Sequence, residues 1–194
     1  MNFLDWAAFV VTMAGASGML LRRDWRWSIA LLAAAYLGVF WLVQSPWSIS
    51  LAAVKLVTGW MVCAALAIAH RNAEEEAGDE TAWPQGQLFR LAVIGLVLTV
   101  TFAGGIGLAS WLGMSLPAAW GGLMLISMGL LHLGVTGQSF RVVLGLLTAL
   151  AGFEVIYAAV ESSALVAGLL ALVNLGLAMV GAYFLPRQPE REQP

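Results

Sequence analysis

The sequence predicts an all-α fold, a polytopic transmembrane helical bundle of seven spans with the N-terminus outside and the C-terminus inside. Three observations carry that reading. Of 194 residues, 61% are hydrophobic and 10% charged, with mean hydropathy +0.87, whereas soluble domains carry about 25% charged residues. Seven runs approach or exceed the ~20 apolar residues a helix needs to cross a bilayer; they cover roughly 3–21, 28–43, 49–69, 88–112, 119–137, 142–160 and 163–185. The basic residues then divide between the two sides that these runs create.

The first run holds Ala14-Gly15-Ala16, a triplet that a cleaved secretory leader would also show. Its head carries Asp5, however, while Arg22, Arg23 and Arg26 follow the apolar stretch. That reverses the charge order of a leader, so the run reads as a retained span. With seven spans, one side receives the 22–27 and 70–87 loops, the turn at 137–141 and the tail after Leu185. These hold Arg22, Arg23, Arg26, Arg71, Arg90 at the start of span four, Arg141, Arg187 and Arg191. The other side receives residues 1–2, the loops 44–48 and 113–118, and the turn near Glu161-Ser162, all without a basic residue. The positive-inside rule makes the arginine-rich side cytoplasmic. Adding or removing one span would scatter the arginines over both sides.

Four regions follow: a three-span part over 1–87, a fourth span with its linker over 88–118, a three-helix unit over 119–185, and a tail over 186–194. The 70–87 loop, with Glu74, Glu75, Glu76, Asp79 and Glu80, reads as a solvated linker. The tail has three prolines and alternating charge and cannot extend the last helix. Trp6, Trp25, Trp27, Trp47, Trp83, Trp111 and Trp120 lie near span ends, where interfacial belts form, and Trp60 is the mid-span exception. The many glycines read as packing residues that let backbones approach within the membrane. The single cysteine, Cys63, excludes a disulfide framework and any Cys/His metal pattern. No phosphate loop, dinucleotide fingerprint, zinc helix motif or serine elbow occurs. The chain therefore reads as having no catalytic site of its own, no cofactor or metal, and no support for nucleic-acid binding.

What remains is a short set of polar groups at depth. Glu154 lies about six residues from the outer end of span six, and an ionisable group there is by default a functional candidate. Lys55 lies about six residues from the outer start of span three, so both stand roughly 9 Å below the outer surface at 1.5 Å per residue. Pairing would offset much of the cost of burying either charge; the other course open to Lys55 is to snorkel to the outer headgroups. His132, near the inner end of span five, is either a proton exchanger or a core histidine bonded to a carbonyl of its own helix. Asn174, near the middle of span seven, either joins the path as a hydrogen-bonding group or serves as interhelical glue. Tyr157, one turn after Glu154, is placed to donate to it. By depth, His132, Asn174, Glu154 and Lys55 form a series from inner to outer face, the layout of a proton path.

The last three spans have a particular grammar. A helix ends Gly129-Leu-Leu-His-Leu-Gly-Val-Thr-Gly137, a tight turn holds Arg141, a second helix carries Glu154 past its middle, and a third ends Gly176-Leu-Ala-Met-Val-Gly181. This resembles the small K-type subunit of respiratory complex I and the C subunit of Mrp-type sodium/proton antiporters. With four spans in front, the full chain is similar to hydrogenase-4 component E, and Ala53-Val-Lys-Leu-Val57 looks like that family's lysine-containing helix. The resemblance implies a subunit without redox cofactor in the inner membrane, part of a hetero-oligomer beside antiporter-like subunits, adding buried ionisable groups to a proton or sodium path. Glu154 matches the family's glutamate and Lys55 its lysine. The family commonly has a second carboxylate where this chain has Asn174, which cannot carry a proton. A member that pumps through another group and a member that only connects its neighbours both fit that departure. A stand-alone transporter is disfavoured, because spans one to three do not mirror spans five to seven.

Overall fold

A computed structural model describes residues 3–22, 24–74, 87–135 and 138–185. Among the described residues there are seven helices and no strand: α1 (Phe3–Leu21), α2 (Trp25–Val43), α3 (Ile49–Glu74), α4 (Gln87–Leu112), α5 (Leu116–Val135), α6 (Ser139–Val160) and α7 (Ala164–Phe184). Each is long and apolar enough to cross a membrane. The chain is thus a multi-pass membrane protein in form. Most of the loop at 70–87 and the whole tail at 186–194 lie outside the described residues, as do Arg23, Trp83, Arg187 and Arg191.

Helix ends differ from the hydropathy runs where polar chemistry extends a helix beyond its apolar stretch. α2 begins at Trp25 because Asp24 caps it, its carboxylate accepting from the Arg26 amide at 3.0 Å. α5 starts at Leu116 with Pro117 in its first turn, where the missing amide costs nothing. α3 runs on through His70 and Arg71 to Glu74, so His70 is a helical residue and not the start of a loop. α4 stops at Gly113, whose φ of +65° belongs to the left-handed region, and the Met114 amide reaches back to the Ala109 carbonyl at 3.2 Å.

Two antiparallel hairpins form the centre. In α1–α2, a Cβ at Gly15 would lie 2.8 Å from the Leu31 carbonyl oxygen, so the backbones touch there. In α5–α6, a Cβ at Gly129 would lie 2.5 Å from the Ala149 nitrogen, and one at Gly152 2.5 Å from the Gly122 oxygen. Such closeness gives van der Waals packing that side chains would prevent, which is how helices associate where the hydrophobic effect is absent. α1 packs on α5, α2 on both α3 and α6, and α3 on α7. α4 lies outside α5, held by Trp120, which meets Phe102 edge-on at 4.9 Å between ring centroids and lies against Gly105. α4 and α7 are the peripheral helices, each with only 17% of its most apolar stretch covered by protein.

Candidate functional site

Four helices converge on one buried polar cluster. α3 contributes Lys55 and α6 contributes Glu154, whose carboxylate Oε2 forms an ion pair with the Lys55 ammonium Nζ. Glu154 is 1% exposed and Lys55 6%, so neither charge is in contact with bulk water. α7 contributes Asn174, whose amide nitrogen donates to Glu154 Oε1 at 2.7 Å and to the Leu170 carbonyl at 3.0 Å. The Leu170 oxygen only accepts, which fixes which way the Asn174 amide faces. α2 contributes Tyr36, whose hydroxyl donates to Asn174 Oδ1 at 3.3 Å. The Tyr36 ring also lies beneath the Lys55 ammonium, 5.2 Å from ring centroid to Nζ, a cation–π arrangement. The contacts close into a loop: Lys55 to Glu154, Glu154 to Asn174, Asn174 to Tyr36, and Tyr36 back to Lys55.

A second feature of α3 makes room for this loop. Gly59 is four residues after Lys55, on the same helix face, and a Cβ there would lie 2.5 to 2.8 Å from three Tyr36 ring carbons. The aromatic ring therefore occupies the notch left by Gly59 and supports the ammonium one turn away. Tyr36 is the member that sequence reasoning passed over. Two signals marked it: a tyrosine in the middle of span two, away from the interfacial belts where tyrosine concentrates, and a glycine at i+4 from the only lysine.

The structure joins Lys55, Glu154 and Asn174 and leaves His132 and Tyr157 apart. Asn174 bonds Glu154 directly, so these two form one level and not two successive steps. His132 is 1% exposed, and its Nδ1 pairs with the Met128 carbonyl of its own helix at 3.0 Å. It packs against Gly145 of α6, nine residues before Glu154, which separates the two levels by about 13 Å along the helix. Through Nδ1 it bonds its own helix, as a core histidine does, while its Nε2 is buried without a hydrogen bond of good geometry. Tyr157 is half-buried with its ring stacked on Phe153 at 5.9 Å, and among the described residues no hydrogen bond joins it to Glu154. Trp60, the mid-span tryptophan, is half exposed on the lipid-facing side of α3 and donates its indole N–H to the Ala33 carbonyl at 3.3 Å. At the arginine-rich end, His70 is enclosed between Trp25 at 4.9 Å and Phe140 at 4.5 Å, and Arg141 is buried with its Nε donating to Gln138 at 3.1 Å.

No family model, curated protein or solved structure matches this chain. The reading of the site accordingly rests on its own residues. Among the described residues no group of three or more His, Cys, Asp or Glu side chains could hold a metal ion. The site can hold a charge pair in a low-dielectric interior, with Lys55 and Asn174 taking the place of water at the Glu154 oxygens and Tyr36 holding Asn174.

Proposed function

We propose that the protein is an inner-membrane subunit of a complex-I-like assembly related to hydrogenase-4, in which Glu154 changes its protonation or its partner as protons or sodium ions are translocated. In this reading the N-terminus is outside, the C-terminus is cytoplasmic, and the neighbours are antiporter-like subunits that bring the redox or ion-driving machinery. The observation that supports it most is the enclosed Lys55–Glu154 pair at matched depth on α3 and α6. A membrane interior is a costly place for two charges, and such pairs mark ion and proton pathways. Lys55 is the electrostatic partner, Asn174 and Tyr36 hold the geometry, and proton exchange with the cytoplasmic side passes through other groups or neighbours, since His132 stands about 13 Å away along the bundle.

The test is Glu154→Gln in the intact complex, with assembly followed by native electrophoresis and proton movement by a fluorescent pH dye in vesicles. The expected outcome is a normal amount of complex with strongly reduced translocation. Wild-type pumping in that variant would sink the proposal.

A second reading has its own supporting observation. Both amide hydrogens of Asn174 are engaged, and the four contacts tie α2, α3, α6 and α7 together. That suits a connector whose pair only fixes helix packing. Here Glu154→Gln would lose the complex, and replacing both Glu154 and Lys55 by apolar residues would restore it, as buried pairs often allow.

A further inference from the structure

The two central hairpins repeat one pattern of backbone contacts. In α1–α2, a Cβ at Gly15 would meet the Leu31 oxygen and the Ala35 nitrogen, and one at Gly38 the Ala8 oxygen and the Thr12 nitrogen. In α5–α6, a Cβ at Gly129 would meet the Gly145 oxygen and the Ala149 nitrogen, and one at Gly152 the Gly122 oxygen and the Ile126 nitrogen. Every residue of the second set lies 114 positions after its counterpart in the first, the step that also separates Trp47 from the Glu161 carbonyl it bonds. α3 then packs on α2 as α7 packs on α6. Successive helices alternate in direction, so α1–α3 and α5–α7 run the same way and α4 carries the chain back between them. The identities that mark the repeat, Gly15 with Gly129, Ala35 with Ala149 and Gly38 with Gly152, are small residues in an apolar background, where they attract no notice.

The two units are stacked front to back. α1 packs on α5, α2 on α6 and α3 on α7, yet the two hairpins bury opposite faces. Ala16, Leu32 and Val39 of the first unit are each 1% exposed or less, whereas their counterparts Leu130, Leu146 and Phe153 are 57%, 36% and 48% exposed. On the other side the order is reversed: Leu4, Val10 and Leu37 are exposed, and their counterparts Ala118, Met124 and Ala151 are buried. A two-fold pair would bury the same face on both partners, whereas a repeat stack buries the front of one unit against the back of the next. The polar cluster belongs to this joint, since Lys55 and Tyr36 come from the first unit and Glu154 and Asn174 from the second. The stack therefore ends in two open apolar faces, the front of the second unit around Leu130, Leu146 and Phe153 and the back of the first around Leu4, Val10 and Leu37.

We infer that these two open faces bind each other in neighbouring molecules, so that a second copy of this chain continues the stack. The occupant follows from the interface already made within the chain: the open front is the counterpart of a front that is covered, the open back is the counterpart of a back that covers it, and a second copy carries both. The joint between chains is apolar, because the counterparts of Tyr36 and Glu154 are Leu150 and Phe40. Both faces are thus compatible with lipid before they meet, and their association rests on packing. Gly134, on the open front, has nothing within 4 Å of its Cβ position, which leaves room for a close approach. Because the two ends of the stack differ, the contact is head to tail and repeats without inverting the chain in the membrane. The inference goes beyond the proposed function and is independent of which of its two readings holds.

Cross-linking between full-length chains tests the geometry. Within the chain, a Cβ at Gly121 would lie 3.5 Å from the Thr12 hydroxyl, a contact from one unit to the other. The matching contact between two chains joins Ile126, the counterpart of Thr12, to Ala7, the counterpart of Gly121. Two differently tagged chains, both Cys63→Ala, are co-expressed, with Ile126→Cys on one and Ala7→Cys on the other, and native membranes are mildly oxidised. Disulfide-linked dimers carrying both tags should exceed by roughly ten-fold those formed when both chains carry Ile126→Cys or both carry Ala7→Cys. Equal linking of like faces would mean a face-to-face pair, and no linking in any combination would mean that lipid or another protein covers the faces; either result overturns the inference. Independently of cysteine variants, unaltered chains fused after Pro194 to donor and acceptor fluorescent proteins should show energy transfer in liposomes, and Leu37→Trp, which adds bulk to the open back face, should abolish it. Absence of transfer between unaltered chains, or transfer unchanged by Leu37→Trp, also overturns it. Wild-type pumping by Glu154→Gln would instead remove the proposed function and leave the stack standing.

Discussion

Removing one member of the Lys55–Glu154 pair and removing both are different experiments physically. Lys55→Met leaves the Glu154 carboxylate facing an apolar wall and Asn174 alone, so destabilisation of about 3–5 kcal/mol is expected, the usual cost of stranding a buried charge. Adding Glu154→Gln should recover most of it, because Gln can still accept from Asn174 and carries no charge. Unfolding in a graded mixture of mild and denaturing detergent measures both; equal losses in single and double variants would show that the charges are not coupled. Tyr36 separates into hydroxyl and ring. Tyr36→Phe loses one interhelical hydrogen bond, worth about 1 kcal/mol or less in membranes. Tyr36→Ala also empties the notch beside Gly59 and removes the face under the ammonium, for about 3–5 kcal/mol. The same unfolding assay should rank them in that order, and parity between the two would refute a supporting role for the ring.

At the scale of elements, the α5–α6 hairpin is where backbone meets backbone. Gly129→Ala would bring a methyl to within 2.5 Å of the Ala149 nitrogen and 2.6 Å of the Gly145 oxygen, atoms that move only if a helix moves. Overpacking of this kind costs about 1–3 kcal/mol, and the displacement would carry α6, hence Glu154, away from α3. Gly176→Ala on α7 meets nothing within 4 Å and should be neutral in the same assay. A loss at Gly176 as large as that at Gly129 would mean that the open face of α7 is covered by another helix. The two glycines look alike in the sequence, which is why their roles were not legible there: a span's apolar composition fixes its length but not its rotation. The same limit explains His132. Its depth was readable from residue counting, and a bond to a carbonyl of its own helix was one of the two courses open to it, whereas the face it shares with Gly145 depends on how α5 turns. Lys55 and Glu154 escaped the limit because two opposite charges in an apolar interior have a strong energetic reason to meet. α3 outran its hydropathy because His-Arg-Asn-Ala-Glu continues a helix without being apolar.

For the whole molecule, the arrangement of charge predicts an orientation that the helices themselves do not. Arg22 follows α1, Arg26 opens α2, Arg71 is near the end of α3, Arg90 opens α4 and Arg141 opens α6. With alternating helix directions, all five belong to one end of the bundle, and the connections at the opposite end, at 44–48, 113–115 and 161–163, hold no basic residue. Lys55, the exception, is withdrawn from this count by its bond to Glu154. Short loops with lysine or arginine are retained on the cytoplasmic side during insertion, so the arginine-poor end, with the exposed Ser45, should face outward. Alkaline phosphatase fused within 44–48 should then be active, and a fluorescent protein fused after Pro194 should fold and emit. Replacing Arg22, Arg23 and Arg26 by glutamine while placing lysines at Gln44 and Ser45 should shift part of the population to the opposite orientation, read as phosphatase activity at the C-terminus. An active phosphatase at the C-terminus of the unaltered chain would invert the bundle.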